Sequence, residues 1–234
     1  MNIVDLLIIA IIAITVISGM YRGFISSLLS TANFFISWMA AYTIYPSISG
    51  ALLGNESIMD TLYYYTDAAS KLGTGVARTD ISQASGSLVQ SAIDAISLPA
   101  PFDALLKQNI SARAFAGIDL STVGDYVNQT IVTVVTNVMC FLLVFMVCFI
   151  VLNLVINLLN YVFKFPALKH LDSLTGGALG LVRGYFFVFL LFTLAPILLT
   201  ALPVQAISDY IHASKLGAYF MESNFITSII KAAL

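Results

Sequence analysis

Charge is what this sequence has least of. Only 22 of its 234 residues are Lys, Arg, Asp or Glu, which is 9% of the chain, whereas soluble domains carry about 25%. A soluble domain of 25.3 kDa cannot cover its surface with so few charges, and 59% of the residues are hydrophobic. Together with a mean hydropathy of +0.96, this composition predicts a polytopic membrane protein.

Other scarce features exclude further classes of protein. Two cysteines are too few for the disulfide framework of a small secreted domain. A net charge of −2 supplies no basic field for DNA or RNA, so we expect no nucleic-acid partner. The high apolar content excludes a disordered chain.

The residue types of catalysis are scarce as well. The two histidines, His170 and His212, lie far apart in sequence, and Cys140 and Cys148 fall inside one apolar stretch, where thiols behave as small apolar side chains. The sequence contains no motif of phosphate-binding loops or catalytic nucleophiles. We therefore expect no enzymatic activity, no metal site and no cofactor.

The few charges are unevenly distributed. Residues 46–128 hold 12 of the 22, eight acidic and four basic, and the rest of the chain is almost uncharged. This distribution predicts a membrane body with one soluble insert at 46–128. Within the insert, Asn55 or Ser57 and then Ser85 or Ser87 are predicted to begin short helices.

The apolar stretches predict an all-α fold with about four transmembrane helices, because roughly 20 residues cross a hydrocarbon core of ~30 Å. The spans are expected at 3–20, at 24–45 with a stop at Pro46, at 131–163 and at 179–202. The first helix pair thus occupies 1–45 and the second 129–204. The third stretch exceeds one straight crossing, so its helix is either tilted or begins outside the membrane, and its predicted start is at Ser121 or Thr122.

Two further segments each fit two placements relative to the membrane. Residues 165–183 are too polar for a full span and are Gly-rich, which is typical of a re-entrant or interfacial segment. Residues 205–234 predict an amphipathic C-terminal helix, either on the membrane surface or packed as a cap on the helix bundle.

Basic residues in the short loops indicate the orientation. Arg22 lies between the first two spans, and Lys164, Lys169 and Arg183 surround the connection between the last two. Short loops rich in Lys and Arg stay in the cytoplasm, whereas long segments translocate with little regard to charge. The insert and both termini are therefore predicted to be extracytoplasmic.

One short signature occurs twice. The segment Gly19-Met20-Tyr21-Arg22-Gly23-Phe24 matches Gly180-Leu181-Val182-Arg183-Gly184-Tyr185, and each copy opens an apolar run. Both predicted spans run in the same direction, which indicates two helix pairs related as parallel repeats.

The same residues resemble the colicin V production protein (CvpA) family. The resemblance rests on Asp5, on Arg22-Gly23-Phe24, and on Leu171-Asp172 followed by Gly176-Gly177, Gly180 and Arg183-Gly184. It covers roughly 1–45 and 130–205, and the long insert departs from it. The resemblance implies a non-enzymatic protein of the bacterial inner membrane, associated with colicin V or toxin production and with envelope homeostasis. It supplies no catalytic or ligand-binding residue.

Glycines and charges are the first candidate functional residues. Gly19 and Gly23, and likewise Gly176, Gly180 and Gly184, recur every four residues, which predicts a flank for close helix packing; conduction through a thin interface is the alternative. The ionisable residues nearest the membrane are Asp5, Arg22, Asp172 and Arg183. We expect them to pair or face water, for example as Arg22 with Asp172, or the two arginines to reach cytoplasmic phosphates.

Two polar stripes at helical spacing are the second set of candidates. They consist of Ser26, Ser30, Asn33 and Ser37 in the second span and Asn153, Asn157 and Asn160 in the third. Such side chains either cross-link helices or line a polar path.

Three functions follow from these features. The first is a scaffold or accessory protein in the lipid bilayer that associates with itself or with another membrane or export protein. The second is a small oligomeric transporter or channel for ions or small solutes. The third, a membrane enzyme, lacks a recognisable site.

Overall fold

The structure, a computed structural model, describes residues 2–66, 72–96, 102–115, 120–163, 171–196, 209–211 and 213–224. Within these ranges the regular elements are helices, and no β-strand forms. The helices are α1 (Ile3–Leu53), α2 (Glu56–Thr66), α3 (Thr74–Ala77), α4 (Gly86–Ile96), α5 (Phe102–Ala112), α6 (Val123–Phe163), α7 (Leu171–Phe192) and α8 (Lys215–Glu222), with a 3-10 helix at Ile81–Gln83.

Three of the described helices, α1, α6 and α7, are long and apolar enough to cross a membrane. Large apolar side chains cover their outer surfaces. On α6, Leu143, Met146, Ile150 and Leu154 follow each other at helical spacing and are each at least half exposed. An apolar stripe of this length on the surface is typical of a helix in contact with lipid.

The helix α1 continues through Pro46 to Leu53, so the proline does not end the helix, and the end of the second membrane span at Pro46 stays a prediction. Proline removes one backbone donor, but the other hydrogen bonds of the helix remain. Tyr45 and Ser49, on either side of the proline, are buried and hold the adjacent turns in place. Helices in membranes commonly tolerate a proline under such conditions.

A break at Gly23 divides α1 into an N-terminal arm, residues 3–22, and a C-terminal arm, residues 24–53. Gly23 has φ 76° and ψ 177°, which are not helical. The Ser27 hydroxyl donates to the Gly19 carbonyl at 3.1 Å, although eight residues of straight helix would separate them by about 12 Å. The chain therefore turns sharply at Gly23.

The two arms run in opposite directions along α7. In the C-terminal arm, Phe24 contacts Asp172 and the Thr31 hydroxyl approaches the Leu179 carbonyl at 3.5 Å, so this arm is parallel to α7. In the N-terminal arm, Gly19 lies against Gly176 while the earlier Thr15 lies against Gly184, so this arm is antiparallel to α7.

The helix α6 also packs on the C-terminal arm, in the antiparallel direction. Phe34 meets Phe145 with ring centroids 5.3 Å apart, and Tyr45 meets the earlier Phe141 at 6.1 Å. The Asn33 amide donates to the Phe149 carbonyl at 3.3 Å. Aromatic edges and one amide thus join these two helices.

The chain forms two compact units. The first comprises residues 1–45, 141–194 and 204–224, and the second 46–140, 195–203 and 225–234. The described part of the second unit contains α2 to α5, and side chains cap the starts of α2 and α4. Asn55 accepts from the Ile58 amide at 3.2 Å, and Ser85 from the Leu88 amide at 3.3 Å.

The helix α6 begins in the second unit with a reciprocal cap. The Thr122 hydroxyl accepts from the Asp125 amide, and the Asp125 carboxylate accepts from the Thr122 amide, both at 3.2 Å. This arrangement satisfies backbone donors at the helix start. The apolar core of the unit includes Phe102, Leu106 and Phe115, each no more than 1% exposed.

Two predicted segments are described only in part. The helix α7 begins at Leu171, so the described part of the candidate re-entrant segment at 165–183 is helical; residues 164–170, with Lys164, Lys169 and His170, lie outside the described residues. Of the predicted C-terminal helix at 205–234, the structure describes 209–211 and 213–224, and α8 is its helical part.

Candidate functional site

The break at Gly23 is held by Asp172. The Asp172 carboxylate accepts a hydrogen bond from the Phe24 amide, the first backbone donor of the C-terminal arm. A Cβ at position 23 would overlap the same carboxylate, and the dihedral angles of Gly23 lie in a region that essentially only glycine adopts. Asp172 therefore caps the second arm, and glycine is required beside it.

Glycines bring the N-terminal arm and α7 into backbone contact. A Cβ on Gly19 would clash with the Gly176 carbonyl oxygen, and one on Gly180 with the Thr15 carbonyl oxygen. At Gly184 the added carbon would clash with the Thr15 hydroxyl. The predicted glycine flank thus lies between these two helices, where side chains would keep the backbones apart.

Asp5 links the first residues of the chain to α8. Its carboxylate is buried and accepts from the Ser214 hydroxyl at 2.6 Å and from the Leu216 amide at 3.0 Å. The other carboxylate oxygen accepts from the Asn2 amide at 2.9 Å, and the Asn2 side chain donates to the Tyr210 carbonyl at 2.6 Å. A negative charge at the amides of a helix start is electrostatically favourable.

Aromatic rings complete the attachment of α8 to α7. Phe220 is buried and packs edge-on against Phe189, with ring centroids 4.8 Å apart. The hydroxyls of Tyr185 and Tyr219 are 2.7 Å apart, and the buried Asn224 amide donates to the Phe189 carbonyl at 3.1 Å. The C-terminal helix thus packs on the first unit.

The two repeated arginines have different surroundings. Arg22 is exposed, whereas Arg183 is half-buried and donates to the Ser30 hydroxyl at 2.6 Å. Arg22 was expected to pair with Asp172, but the Asp172 carboxylate accepts a hydrogen bond from the Phe24 amide. In the described ranges neither arginine forms an ion pair.

The polar stripe of the C-terminal arm faces inward in part. Asn33 and Ser37 are buried and bonded to each other at 3.1 Å, while Ser26 and Ser30 are half-buried. On α6, Asn153 is half-buried and Asn157 exposed; the side chain of Asn160 lies outside the described residues. No hydrogen bond joins the two stripes in the part of the chain that the structure describes.

The family model for the colicin V production protein matches residues 4–106 and 110–224, which is most of the chain. The chain belongs to the colicin V production protein family. Comparisons with curated proteins and with solved structures give no match.

The match to the colicin V production protein family extends further than the sequence signature. It includes residues 46–106 and 110–128, so it is wider than the 1–45 and 130–205 over which the resemblance was expected. The recognisable motifs lie in the membrane body because glycines and charges stand out there. The described part of the insert consists of short helices without such a motif.

The second unit of this family member contains polar residues that the sequence analysis missed. Gln129, Thr130 and Thr133 on α6 are at most 1% exposed. Gln129 accepts from the Tyr63 hydroxyl and donates to Thr133 at 3.2 Å, and the Asn109 amide donates to Thr130 at 3.0 Å. Burial, with a smaller contribution from Asp125, raises the pKa of Tyr63 above its usual value.

A third polar stripe was the signal that could have revealed these residues. Gln129, Thr133 and Thr136 recur at spacings of four and three, as on one helix face. Apolar residues lie between them, so this part of the sequence was interpreted as a membrane span and the stripe was not recognised. In the described ranges, no group of three or more His, Cys, Asp or Glu side chains is arranged to hold a metal ion.

Proposed function

We propose that this protein is a non-enzymatic scaffold of the bacterial inner membrane, acting in toxin production or export and in envelope homeostasis. The observation that supports this proposal is that the protein's few charged side chains form hydrogen bonds between distant parts of the chain. Asp5 and Asp172 each bind backbone amides that lie far away in the sequence, and Arg183 binds Ser30 on another helix. These groups hold helices together and leave little reactive chemistry in the body.

We further propose that the body crosses the membrane four times. The broken α1 supplies two crossings, because its arms run in opposite directions along α7 and a straight helix of 51 residues would be about 76 Å long. The helices α6 and α7 supply the other two. Four crossings place both termini and the insert on one side, and the basic loops favour the extracytoplasmic side.

A scaffold requires a partner or a second copy of itself. The decisive experiment is capture of the tagged full-length protein from native bacterial membranes in mild detergent, with an unrelated four-span protein bearing the same tag as control. We expect a reproducible partner from the export or envelope machinery, and we expect deletion of that partner to reproduce the phenotype of losing this protein. A protein recovered without a partner, whose deletion leaves toxin release and envelope integrity unchanged, contradicts the proposal.

A second candidate function is a small oligomeric transporter or channel for ions or small solutes. The observation that favours it is Arg183, a half-buried charge on a membrane-spanning helix that is bonded to Ser30 of the polar stripe, since intramembrane charges commonly mark transport pathways. The test is solute or ion flux into liposomes that contain the purified protein. Arg183→Ala should abolish flux and Arg78→Ala, an exposed arginine of the second unit, should leave it intact; equal flux from empty liposomes excludes transport.

A further inference from the structure

Arg183 is an unusual residue for its place in the fold. It lies near the middle of α7, a helix apolar enough to cross a membrane. It is half-buried, and within the described ranges it donates one hydrogen bond, to the Ser30 hydroxyl. A guanidinium has five N–H donors, and a charge within the bilayer is expensive unless it is paired. One neutral hydroxyl therefore leaves most of its bonding capacity for another group.

The guanidinium of Arg183 points toward the N-terminal end of α7. Thr31 lies opposite Leu179, and Ser30 is the residue before Thr31. Because the Arg183 guanidinium is bonded to Ser30, it lies about four residues, or roughly 6 Å along the helix axis, before the Arg183 backbone. Arg22 lies at that same end, because Gly23 is beside Asp172 and Gly176. Arg22 and the Arg183 guanidinium are therefore both placed toward the N-terminal end of α7.

The nearby carboxylate does not neutralise this pair of cations. One oxygen of the Asp172 carboxylate accepts a hydrogen bond from the Phe24 amide, and the other oxygen lies against Gly23. Asp5 is bonded to Ser214 and Leu216. In the described part of the chain, both guanidiniums thus remain without an acidic partner, although they repel each other.

We propose that Arg22 and Arg183 together bind a phosphate group at the N-terminal end of α7, carried by a lipid headgroup or by a free anion. Guanidinium groups bind phosphate oxygens through paired, charge-assisted hydrogen bonds. Arg22 is exposed and follows Tyr21, which is 89% exposed, a residue type enriched at the membrane–water interface. Arg183 is half-buried and extends toward the same end of α7. This proposal does not depend on the scaffold function.

The test uses purified, delipidated full-length protein in a neutral detergent. Dioleoyl phosphatidylglycerol is titrated in one arm, dioleoyl phosphatidylcholine in a second and inorganic phosphate in a third, with chloride at equal ionic strength as reference. Binding is measured as the rise in melting temperature and by native mass spectrometry. A lipid headgroup site saturates with phosphatidylglycerol only, whereas a site for free phosphate saturates with inorganic phosphate as well.

Three variants decide the assignment. Arg22→Gln and Arg183→Gln should each weaken binding of the saturating anion roughly tenfold, and Arg183→Lys should weaken it less. Arg78→Gln, which removes an exposed arginine from the second unit, should bind as the natural protein does. Because Arg22 is exposed, its variant tests the proposal even if Arg183→Gln fails to fold. Equal binding by Arg22→Gln and Arg78→Gln, or no saturable binding of phosphatidylglycerol or of inorganic phosphate, overturns it.

Discussion

Gly19 and Gly180 lie where the backbone of one helix meets that of another. The four-residue spacing of the glycines indicates both positions, but it does not specify which helix they contact. Spacing along one helix defines a face, and only the folded chain determines what meets that face. The structure brings this face of α7 against the N-terminal arm of α1.

Replacing Gly19 by Ala should destabilise the protein by about 1–3 kcal/mol, because the added carbon clashes with the Gly176 carbonyl and the helices must separate. Gly50→Ala is the matched control, since nothing lies within 4 Å of a Cβ at that helical position, and alanine favours a helix. Thermal unfolding in detergent should show a lower melting temperature for the first variant alone. Equal melting temperatures would argue against backbone contact at Gly19.

The conformation of Gly23 gives a second prediction for a single residue. Gly23→Ala should destabilise the fold for two separate reasons, an unfavourable backbone conformation and overlap with the Asp172 carboxylate. The double variant Gly23→Ala/Asp172→Ala removes the overlap and keeps the unfavourable backbone conformation, and it also loses the cap on Phe24. We therefore expect it to stay clearly below the natural protein in melting temperature; full recovery would show that the backbone conformation carries no strain.

Helix ends were predictable where a side chain caps them locally. Ser85 and Thr122 were both identified as caps from sequence, and both accept hydrogen bonds from amides three residues further on. Pro46 shows the limit of local reasoning, since burial of neighbouring turns decides whether a helix continues past a proline. Local reasoning also does not predict which side chains attach α8 to α7 and to Asp5, because more than 200 residues separate Asp5 from Ser214.

The start of α8 provides a prediction for that element. Ser214 caps the helix by accepting from the Gly217 amide at 2.8 Å and also donates to Asp5. Ser214→Ala loses both bonds, and an N-cap is worth about 1 kcal/mol. Limited trypsin digestion should therefore cleave after the exposed Lys215 roughly fivefold faster.

Ser223→Ala serves as the control for this digestion. Ser223 is exposed and follows the other end of α8, where its backbone amide, retained in the variant, bonds to the Tyr219 carbonyl. Its cleavage rate should match that of the natural protein. If Ser214→Ala is cleaved no faster than Ser223→Ala, the bond to Asp5 does not hold α8 in place.

For the whole molecule, the proposed topology makes a direct prediction. In a Cys140→Ala/Cys148→Ala background, single cysteines at Ser57 and Ser85, both exposed, should react with an impermeant maleimide added to intact spheroplasts. Cysteines at Tyr21 and Ser173 should react only after the membrane is opened, because they lie at the opposite ends of the crossings. The reverse result would invert the orientation, and labelling of all four from outside would contradict four crossings.

The sequence by itself determined that this protein is helical and suited to a membrane, because composition and apolar run length do not depend on how the helices meet. It also indicated the family, since a few glycines and charges carry the signature. The tertiary structure decided the rest: that Asp172 caps the second arm of α1, that Asp5 binds the start of α8, and that Arg183 bonds to Ser30. These contacts join residues distant in sequence, and a hydrogen bond depends on position and direction in three dimensions, which spacing along one helix does not specify.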